Sequence, residues 1–438
     1  MADTKRTHAR YWILFLLFFV SSVSYGDRIS LSLVGPILSK QFGLDSVTMG
    51  YILSAFGWAY VAGQLPAGGL LDRFGSKPVY GLSIFAWAVC GLLLGFTSYV
   101  GPAAVAFIFV LRLVSGLAQA PVFPANGRIV SAWFPAAERG TASAVFNSSQ
   151  YFSLVLFSPI LGSLAGLAGW KYAFFFMGSL AVVLGVVWFR VVYSPKDHPG
   201  ANAAELEYIA KGGGLVDMDS RGQPVAGGGF RWSAIRYLLG NRMLVGIYLG
   251  QYCITTLTWF FLTWFPIYLV QGRGMSILKM GFAAALPALC GAFGGVLGGV
   301  VSDWLLRRGY SLTVARKTPI VTGMLLAVGM IACNYVSSQW AALAIMGLAF
   351  FGKGFGSLGW SVISDASPKE IVGLSGSLFN MFGNLAAITT PIVIGYIRKE
   401  TGSFNGALVY VGVMALIAMT SYLWIVGDIK RVELPHGL

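Results

Sequence analysis

Twelve apolar segments follow one another along this chain of 438 residues, and each is long enough to form a membrane-spanning helix. A helix needs about 20 mainly apolar residues to cross the hydrocarbon core of a bilayer. The segments are 11–38, 47–70, 79–97, 102–130, 140–164, 171–192, 243–270, 278–303, 317–336, 340–363, 372–396 and 405–427. Charged residues make up only 11% of the sequence, against roughly 25% in a soluble domain. The sequence therefore predicts an all-α polytopic membrane protein with twelve transmembrane helices.

The longest polar segment divides these spans into six and six. We predict an N-terminal six-helix bundle at 1–192, a cytoplasmic linker loop at 193–242 and a C-terminal six-helix bundle at 243–438. Within the linker, Ala203–Ala210 has the pattern of a short amphipathic helix. The glycine-rich remainder, which includes Lys211-Gly-Gly-Gly, predicts a flexible connection.

The net charge of +14 is concentrated in alternate loops. One set of loops carries Lys5, Arg6, Arg10, Arg73, Lys77, Arg139, Lys196, Lys211, Arg221, Arg231, Arg236, Arg242, Arg307, Arg308, Arg316, Lys317, Lys369, Lys430 and Arg431. The opposite loops hold only Lys40, Lys171, Arg273, Lys279, Arg398 and Lys399. By the positive-inside rule, both termini and the central linker lie in the cytoplasm. Membrane topology thus explains most of the charge, and we expect no nucleic-acid partner.

The sequence does not favour an enzyme or a metal protein. All four cysteines lie inside predicted spans without CxxC spacing, and the three histidines lie in the termini and the linker. We find no HExxH motif, no nucleophile elbow, no paired carboxylates and no Walker A sequence. We therefore expect no catalytic residues, no metal and no ATP-driven transport.

A glycine-rich motif follows the second span, and an echo of it follows the eighth. The first reads Gly68-Gly-Leu-Leu-Asp72-Arg73-Phe-Gly75-Ser-Lys77. The second reads Gly299-Val-Val-Ser-Asp303-Trp-Leu-Leu-Arg307-Arg308-Gly309. Glycine lets helix ends approach closely, and each aspartate could cap a helix or pair with an arginine across a cytoplasmic gate. Two such loops in register indicate an internal repeat.

The first loop resembles the signature of the major facilitator superfamily, which has the form G-x-L-x-D-R-x-G-x-K between spans 2 and 3. The resemblance implies two six-helix bundles, related by an axis along the membrane normal, that rock around a central substrate site. It also suggests a monomer.

Few ionisable residues lie at the predicted depth of the membrane. The clearest are Asp27, Arg28, Arg112 and Lys353, which amount to three cations and one carboxylate. Intramembrane charges are costly and mostly functional. Pairing Asp27 with Arg28 or Arg112 would neutralise one cation, and an anionic ligand would neutralise the excess. We therefore favour a cavity for a small organic anion over a purely structural network.

Polar and aromatic side chains in both predicted bundles accompany these charges. They are Tyr25, Tyr60, Gln64, Asn126, Gln150, Ser357, Trp360, Asn380 and Asn384. Hydroxyls and amides can hydrogen-bond a polyhydroxylated substrate, and an aromatic face suits a sugar-like carbon chain. Because each residue could instead join membrane helices, it is the set as a whole that favours a hydrophilic cavity.

Longer segments carry a closer resemblance. YGDRISLS, FPANGRIVSAWFPAAERGTAS and FFGKGFGSLGWSVISD resemble the bacterial sugar-acid transporters of the anion:cation symporter family, and the likeness covers nearly the whole chain. D-glucarate/D-galactarate permeases are the nearer subgroup, and D-galactonate permeases are more distant. The resemblance implies import of a sugar-acid anion across the bacterial inner membrane by alternating access. Protons would be the coupling ion, with no cofactor.

The resemblance also implies roles for individual residues. Asp27 would be a protonatable carboxylate, Arg112 the main partner of the substrate carboxylate, and Arg28 its support. Tyr60, Gln150, Ser357, Trp360 and Asn380 would line the substrate. From the residues themselves we add Tyr25, Gln64 and Lys353, the last as a second cation for a diacid; alternatively, Lys353 snorkels or pairs with Asp365.

One position departs from the family. Members carry a glutamate seven residues after the span-4 arginine, whereas this chain has Gln119. Glutamine resembles protonated glutamate in shape but cannot release a proton, so we expect impaired proton coupling. Two explanations of this amide stay open. The chain is either an engineered variant held in a protonated-like state or a natural member with altered coupling. Two alternatives to a proton-coupled aldarate importer therefore stay open: a D-galactonate-like monoacid symporter and an uncoupled organic-anion facilitator.

Overall fold

The computed structural model describes residues 6–217, 232–368 and 371–433. Their regular structure is helical, and these described residues contain no β-strand. The α-helices are α1 (Ala9–Phe42), α2 (Ser46–Phe74), α3 (Ser76–Gly95), α4 (Ala104–Gln119), α5 (Val122–Trp133), α6 (Arg139–Ser163), α7 (Trp170–Val191), α8 (Ala203–Lys211), α9 (Trp232–Gly240), α10 (Arg242–Thr263), α11 (Phe265–Ile267), α12 (Ile277–Arg307), α13 (Leu312–Val328), α14 (Gln339–Phe355), α15 (Gly359–Ala366), α16 (Val372–Thr401) and α17 (Asn405–Thr420).

These helices confirm the predicted all-α membrane architecture. Eleven helical segments of the described chain are long and apolar enough to cross a membrane. The remaining predicted span, 47–70, lies in α2, whose 29 residues would extend over roughly 43 Å at 1.5 Å per residue. Because a bilayer offers no partner for backbone polar groups, spanning segments of this kind are helical along their length.

The fourth and tenth predicted spans are each broken into two helices. In the fourth, α4 ends at Gln119 and α5 begins at Val122. Pro121 lies in this break, where it has no amide hydrogen to continue the helical ladder. In the tenth span, α14 ends at Phe355 and α15 begins at Gly359. The sequence analysis treated both spans as continuous, so the breaks refine that expectation.

Two compact units are formed by contacts within the chain. Unit 1 comprises 1–30, 58–157 and 164–227, and unit 2 comprises 31–57, 158–163 and 228–438. In unit 2, the segment 31–57 packs with the C-terminal helices. For example, the Ser32 hydroxyl donates to the Leu262 carbonyl at 2.8 Å.

The two repeated glycine-rich loops share a backbone feature. Gly75 has φ of +81° and Gly309 has φ of +84°. This left-handed region is readily accessible to glycine and strained for other residues. The matched conformations agree with the internal repeat that the sequence motif indicates.

Each repeat aspartate pairs with an arginine of its own unit. In unit 1, Asp72 pairs with Arg128. In unit 2, the Arg316 guanidinium lies 3.8 Å from Asp303 and 2.9 Å from Asp365. Asp365, which the sequence analysis considered as a pairing partner of Lys353, thus forms an ion pair with Arg316.

The other predicted gating residues make local contacts or lie within the helices. Lys77 lies 3.4 Å from the centre of the Tyr193 ring, and Arg73 lies 5.2 Å from the ring of Phe74. Gly68 lies within α2, and Arg307 is the exposed last residue of α12.

The predicted amphipathic helix in the central loop is present as α8, and it is anchored in unit 1 through a buried carboxylate. Glu205 is fully buried. It accepts hydrogen bonds from the Thr7 hydroxyl at 2.6 Å and the Ala9 amide at 3.1 Å, and it pairs with Arg10 at 3.2 Å. Because Ala9 begins α1, Glu205 satisfies donors at a helix N-terminus that would otherwise lack partners.

The glycines after α8 are more ordered than the flexible connection expected from their sequence. Gly212 accepts a hydrogen bond from the Ala136 amide at 2.8 Å, and Leu215 donates to the Ser131 carbonyl at 2.9 Å. The rest of the predicted flexible segment, 218–231, lies outside the described residues. So do the topogenic cations Lys5, Arg221, Arg231 and Lys369.

Candidate functional site

A buried carboxylate, Asp27, is the centre of the candidate site in unit 1. It is 2% exposed, as is Arg112, whose guanidinium lies 3.7 Å from the carboxylate. The Gln119 amide donates to the same carboxylate oxygen at 2.8 Å, and the Ser115 hydroxyl donates to it at 3.3 Å. A cation and two neutral donors therefore stabilise the charged form of Asp27.

Gln119 joins this carboxylate to a second cation. Its side-chain oxygen accepts from the Arg28 guanidinium at 3.0 Å and from the Ser24 hydroxyl at 2.8 Å. One amide thus contacts a carboxylate with its donor and an arginine with its acceptor. A deprotonated glutamate could not make the same pair of contacts, because it has no donor to offer Asp27.

Arg28 is held between two aromatic rings. Its guanidinium carbon lies 4.7 Å from the centre of the Tyr25 ring and 4.8 Å from that of Tyr60. Arg112 also donates to the backbone carbonyls of Asp27 and Arg28, at 3.4 Å and 3.5 Å. Neighbouring side chains and backbone carbonyls therefore position both arginines of the cluster.

Helical spacing brings these residues together. Ser24, Asp27 and Arg28 lie at positions i, i+3 and i+4 of α1 and so share one face. The sequence analysis missed the two serines, Ser24 and Ser115. Their spacing was a usable signal, because Ser115 lies three residues after Arg112 on α4, which is the distance of one helical turn.

The predicted alternatives for Asp27 are resolved in favour of Arg112. The carboxylate neutralises one of the two arginines in the cluster, and Arg28 contacts the Gln119 oxygen and two rings. Internal pairing of Asp27 with Arg112 is thus present in unit 1.

Other predicted residues of unit 1 make simpler contacts. The Gln150 amide donates to the Asn147 carbonyl at 3.3 Å, one turn earlier on α6. Asn126 donates to the Ser21 hydroxyl at 2.8 Å and thereby joins α5 to α1. Gln64 is half-buried in α2, on the same helix as Tyr60.

In unit 2, the predicted residues lie on α14 to α16 and between them. Trp360 is half exposed and packs edge-on against Phe379, with ring centres 5.0 Å apart. Asn380 accepts a hydrogen bond from the Asn384 amide at 3.1 Å. The Ser357 hydroxyl donates to the Gly354 carbonyl at 2.6 Å in the break between α14 and α15. The half-exposed indole face offers a surface for the carbon chain of a sugar-like substrate.

Lys353 lies in the last turn of α14 and is only 4% exposed. Its ammonium is 5.3 Å from the centre of the Phe350 ring. The flanking glycines serve helix packing, since a Cβ on Gly352 would meet the Gly323 carbonyl oxygen and one on Gly354 would meet that of Gly291. Close contacts of α14 with α13 and α12 therefore account for these two glycines.

Comparisons with known proteins agree with this fold. The sequence matches the Major Facilitator Superfamily over residues 17–360. The probable galactarate/D-glucarate transporter GudP of Escherichia coli (strain K12) is 59% identical over 98% of this chain and 96% of its own length. The protein with the same name from Bacillus subtilis (strain 168) is 59% identical over 98% and 94%. A D-galactonate transporter of Escherichia coli O6:H1 is 39% identical over 98% of each chain.

Solved structures support the fold alone, because their sequence identities are low. A bacterial homologue of the human lysosomal transporter Spinster has a TM-score of 0.76 at 15% identity and covers 95% of this chain and 97% of its own. A D-xylose–proton symporter has a TM-score of 0.70 at 14% identity, with coverage of 96% and 98%.

Proposed function

The chain belongs to the Major Facilitator Superfamily, and we propose that it imports a sugar-acid anion together with protons. The family consists of transporters, and this chain is a multi-pass membrane transporter rather than an enzyme. The observation that carries the proposal is the buried cluster in which Asp27 faces both Arg112 and, through Gln119, Arg28.

This cluster has the chemistry that an anion transporter requires. A substrate carboxylate would bind a guanidinium group of the cluster, because arginine can bind a carboxylate through two parallel hydrogen bonds. Protonation of Asp27 would remove the attraction that holds Arg112 and so make that arginine more available to substrate. Substrate binding and protonation would then be linked through one side chain.

The proposed substrate is an aldarate such as D-glucarate or D-galactarate. Two relatives with those names are 59% identical over nearly the whole chain, whereas the D-galactonate transporter is 39% identical. A diacid needs two cationic partners. Among the described residues of unit 2, Lys353 is the only charged residue that is buried. It is therefore our candidate for the second cationic partner of the diacid.

An uncoupled organic-anion facilitator is the second candidate function, and Gln119 is the observation that favours it. The amide supplies Asp27 with a donor at 2.8 Å without carrying a titratable proton. From the loop charges we infer that both termini lie in the cytoplasm. The resemblance to the major facilitator superfamily and to bacterial transporters supports a monomer in the bacterial inner membrane.

We expect Gln119→Glu to raise pH-gradient-driven uptake several-fold. The new carboxyl group would lie about 2.8 Å from the Asp27 carboxylate, and two carboxylates at that distance favour sharing a proton. The pair would then bind and release a proton that the present amide cannot. The measurement is initial uptake of labelled D-glucarate into proteoliposomes with and without an inside-alkaline pH gradient.

Gln339→Glu is the matched control, because Gln339 lies at the start of α14, where its amide donates to the Arg273 carbonyl at 2.8 Å, and is not among the residues of the candidate site. Uptake should stay near that of the unmodified chain when the same charge is added there. Equal gradient-driven uptake by Gln119→Glu and the unmodified chain would mean that position 119 does not affect coupling.

We expect Lys353→Asn to weaken binding of D-glucarate at least tenfold while changing D-galactonate binding less than threefold. Removal of one charge-assisted hydrogen bond costs about 1.5–3 kcal/mol, and a monoacid with its carboxylate on Arg112 does not use that bond. The check is equilibrium binding of both ligands to the purified protein. An equal loss for both ligands, or no loss for either, would make Lys353 a structural residue.

A further inference from the structure

A polar cavity lies in unit 2, apart from every residue assigned to the candidate site. Its volume is about 310 Å³, near the lower end of the roughly 300–1,000 Å³ range of small-molecule pockets. It is lined by Ser39, Leu44, Asp45, Ser46, Gln271, Arg398, Lys399 and Gly402. These residues lie at the end of α1, the start of α2, the segment after α11 and the end of α16.

Arg398 is the main charged group of this cavity. It is half-buried, and its guanidinium carbon lies 4.5 Å from the centre of the Phe404 ring and 5.9 Å from that of Trp264. Within the described part of the chain, no carboxylate or other hydrogen-bond acceptor contacts this guanidinium. Aromatic stacking thus orients a planar cation whose hydrogen-bond donors remain available for an anion.

The neutral polar groups of the cavity are available as well. Ser39, Ser46 and Gln271 make no side-chain hydrogen bond to any residue that the structure describes. Hydroxyls and an amide next to an arginine can hydrogen-bond the hydroxyl groups of a ligand while the guanidinium binds its carboxylate.

The remaining charges of the cavity largely satisfy each other. The Lys399 ammonium lies 3.5 Å from the Asp45 carboxylate, and Asp45 also accepts from the Thr48 amide at 2.7 Å. Hydrogen bonding from Thr48, followed by the charge of Lys399, lowers the pKa of Asp45, so this carboxylate stays ionised near neutral pH. One positive charge, that of Arg398, is then left for a ligand.

We propose that this cavity is a second binding site for a small hydroxy-acid anion, with its carboxylate on Arg398 and its hydroxyl groups on Ser39, Ser46 and Gln271. The proposal rests on the proposed function for the identity of the ligand, a sugar acid. Every lining loop belongs to the set with few cations, which the positive-inside rule puts on the outer face. The site would therefore concentrate substrate where import begins.

The test is a calorimetric titration of the full-length purified protein with D-glucarate. We expect two classes of site in the unmodified chain. Arg398→Gln should weaken the lower-affinity class at least tenfold and leave the tighter class unchanged. Lys279→Gln is the matched control, because it removes an exposed cation from the same set of loops without lining the cavity; it should leave both classes intact.

Binding of D-glucarate that is the same in Arg398→Gln as in the unmodified chain, whether it shows one class of site or two, would overturn the proposal. Failure of the proposed function gives a different pattern, since the tighter, Arg112-dependent class would then be missing while the Arg398-dependent class persists.

A phospholipid headgroup offers similar anionic oxygens, so the titration is repeated in nanodiscs with and without phosphatidylglycerol. We expect the lower-affinity class in both. Its loss in the anionic nanodiscs alone would assign the site to lipid and overturn the hydroxy-acid proposal.

Discussion

Arg112→Lys is expected to weaken sugar-acid binding roughly 10- to 150-fold. Lysine keeps the positive charge next to Asp27, which lies 3.7 Å from the guanidinium, but it loses the planar pair of donors. The loss of one charge-assisted hydrogen bond to a carboxylate costs about 1.5–3 kcal/mol, and this range sets the expected factor. The measurement is equilibrium binding of D-glucarate to the purified transporter.

Arg190→Lys is the control for this substitution. Arg190 is an exposed residue in the last turn of α7, so the same exchange there should leave affinity within about twofold. Unchanged affinity in Arg112→Lys would remove Arg112 as the carboxylate partner, whatever the behaviour of the control.

Asp27→Asn is expected to abolish accumulation of substrate driven by a pH gradient. Asparagine can still accept hydrogen bonds from Gln119 and Ser115, which contact the aspartate at 2.8 Å and 3.3 Å. It cannot exchange a proton with the solution. The measurement is accumulation of labelled D-glucarate in proteoliposomes. Asp27→Asn is introduced both into the unmodified chain and into Gln119→Glu, where coupling should be stronger.

Exchange of labelled for unlabelled substrate at equal pH provides the control for folding. This exchange does not require net proton movement, so Asp27→Asn should retain it if the protein is intact. A variant that exchanges substrate and still accumulates it under a pH gradient would eliminate Asp27 as the coupling site.

The fold class was predictable because a bilayer leaves few solutions for long apolar segments. The internal repeat was also predictable, since Gly75 and Gly309 follow similar motifs and adopt the same backbone conformation. The breaks after Gln119 and Phe355 were not predicted, because hydropathy does not distinguish a continuous helix from two shorter ones. The anchoring of α8 was not predictable either, since Glu205 pairs with Arg10, which is distant in sequence.

The charged residues of the candidate site were predictable because charges at membrane depth are rare. The choice of Arg112 over Arg28 as the partner of Asp27 required coordinates, since both cations were compatible with the sequence. The sequence predicted that Gln119 would resemble a protonated glutamate. It did not predict that the amide contacts both Asp27 and Arg28. Serines are common in membrane helices, so Ser24 and Ser115 do not stand out in the sequence. Their contacts with Gln119 and Asp27 identify them as part of the cluster.

Uptake of a labelled sugar-acid panel into proteoliposomes tests the central claim most directly. D-glucarate, D-galactarate and D-galactonate are supplied to the unmodified chain and to Gln119→Glu, with and without an inside-alkaline pH gradient. The account predicts saturable uptake of both aldarates in preference to D-galactonate, with a several-fold stimulation by the gradient in Gln119→Glu. Absence of aldarate uptake by either protein, or uptake that the pH gradient leaves unchanged in Gln119→Glu, would contradict it.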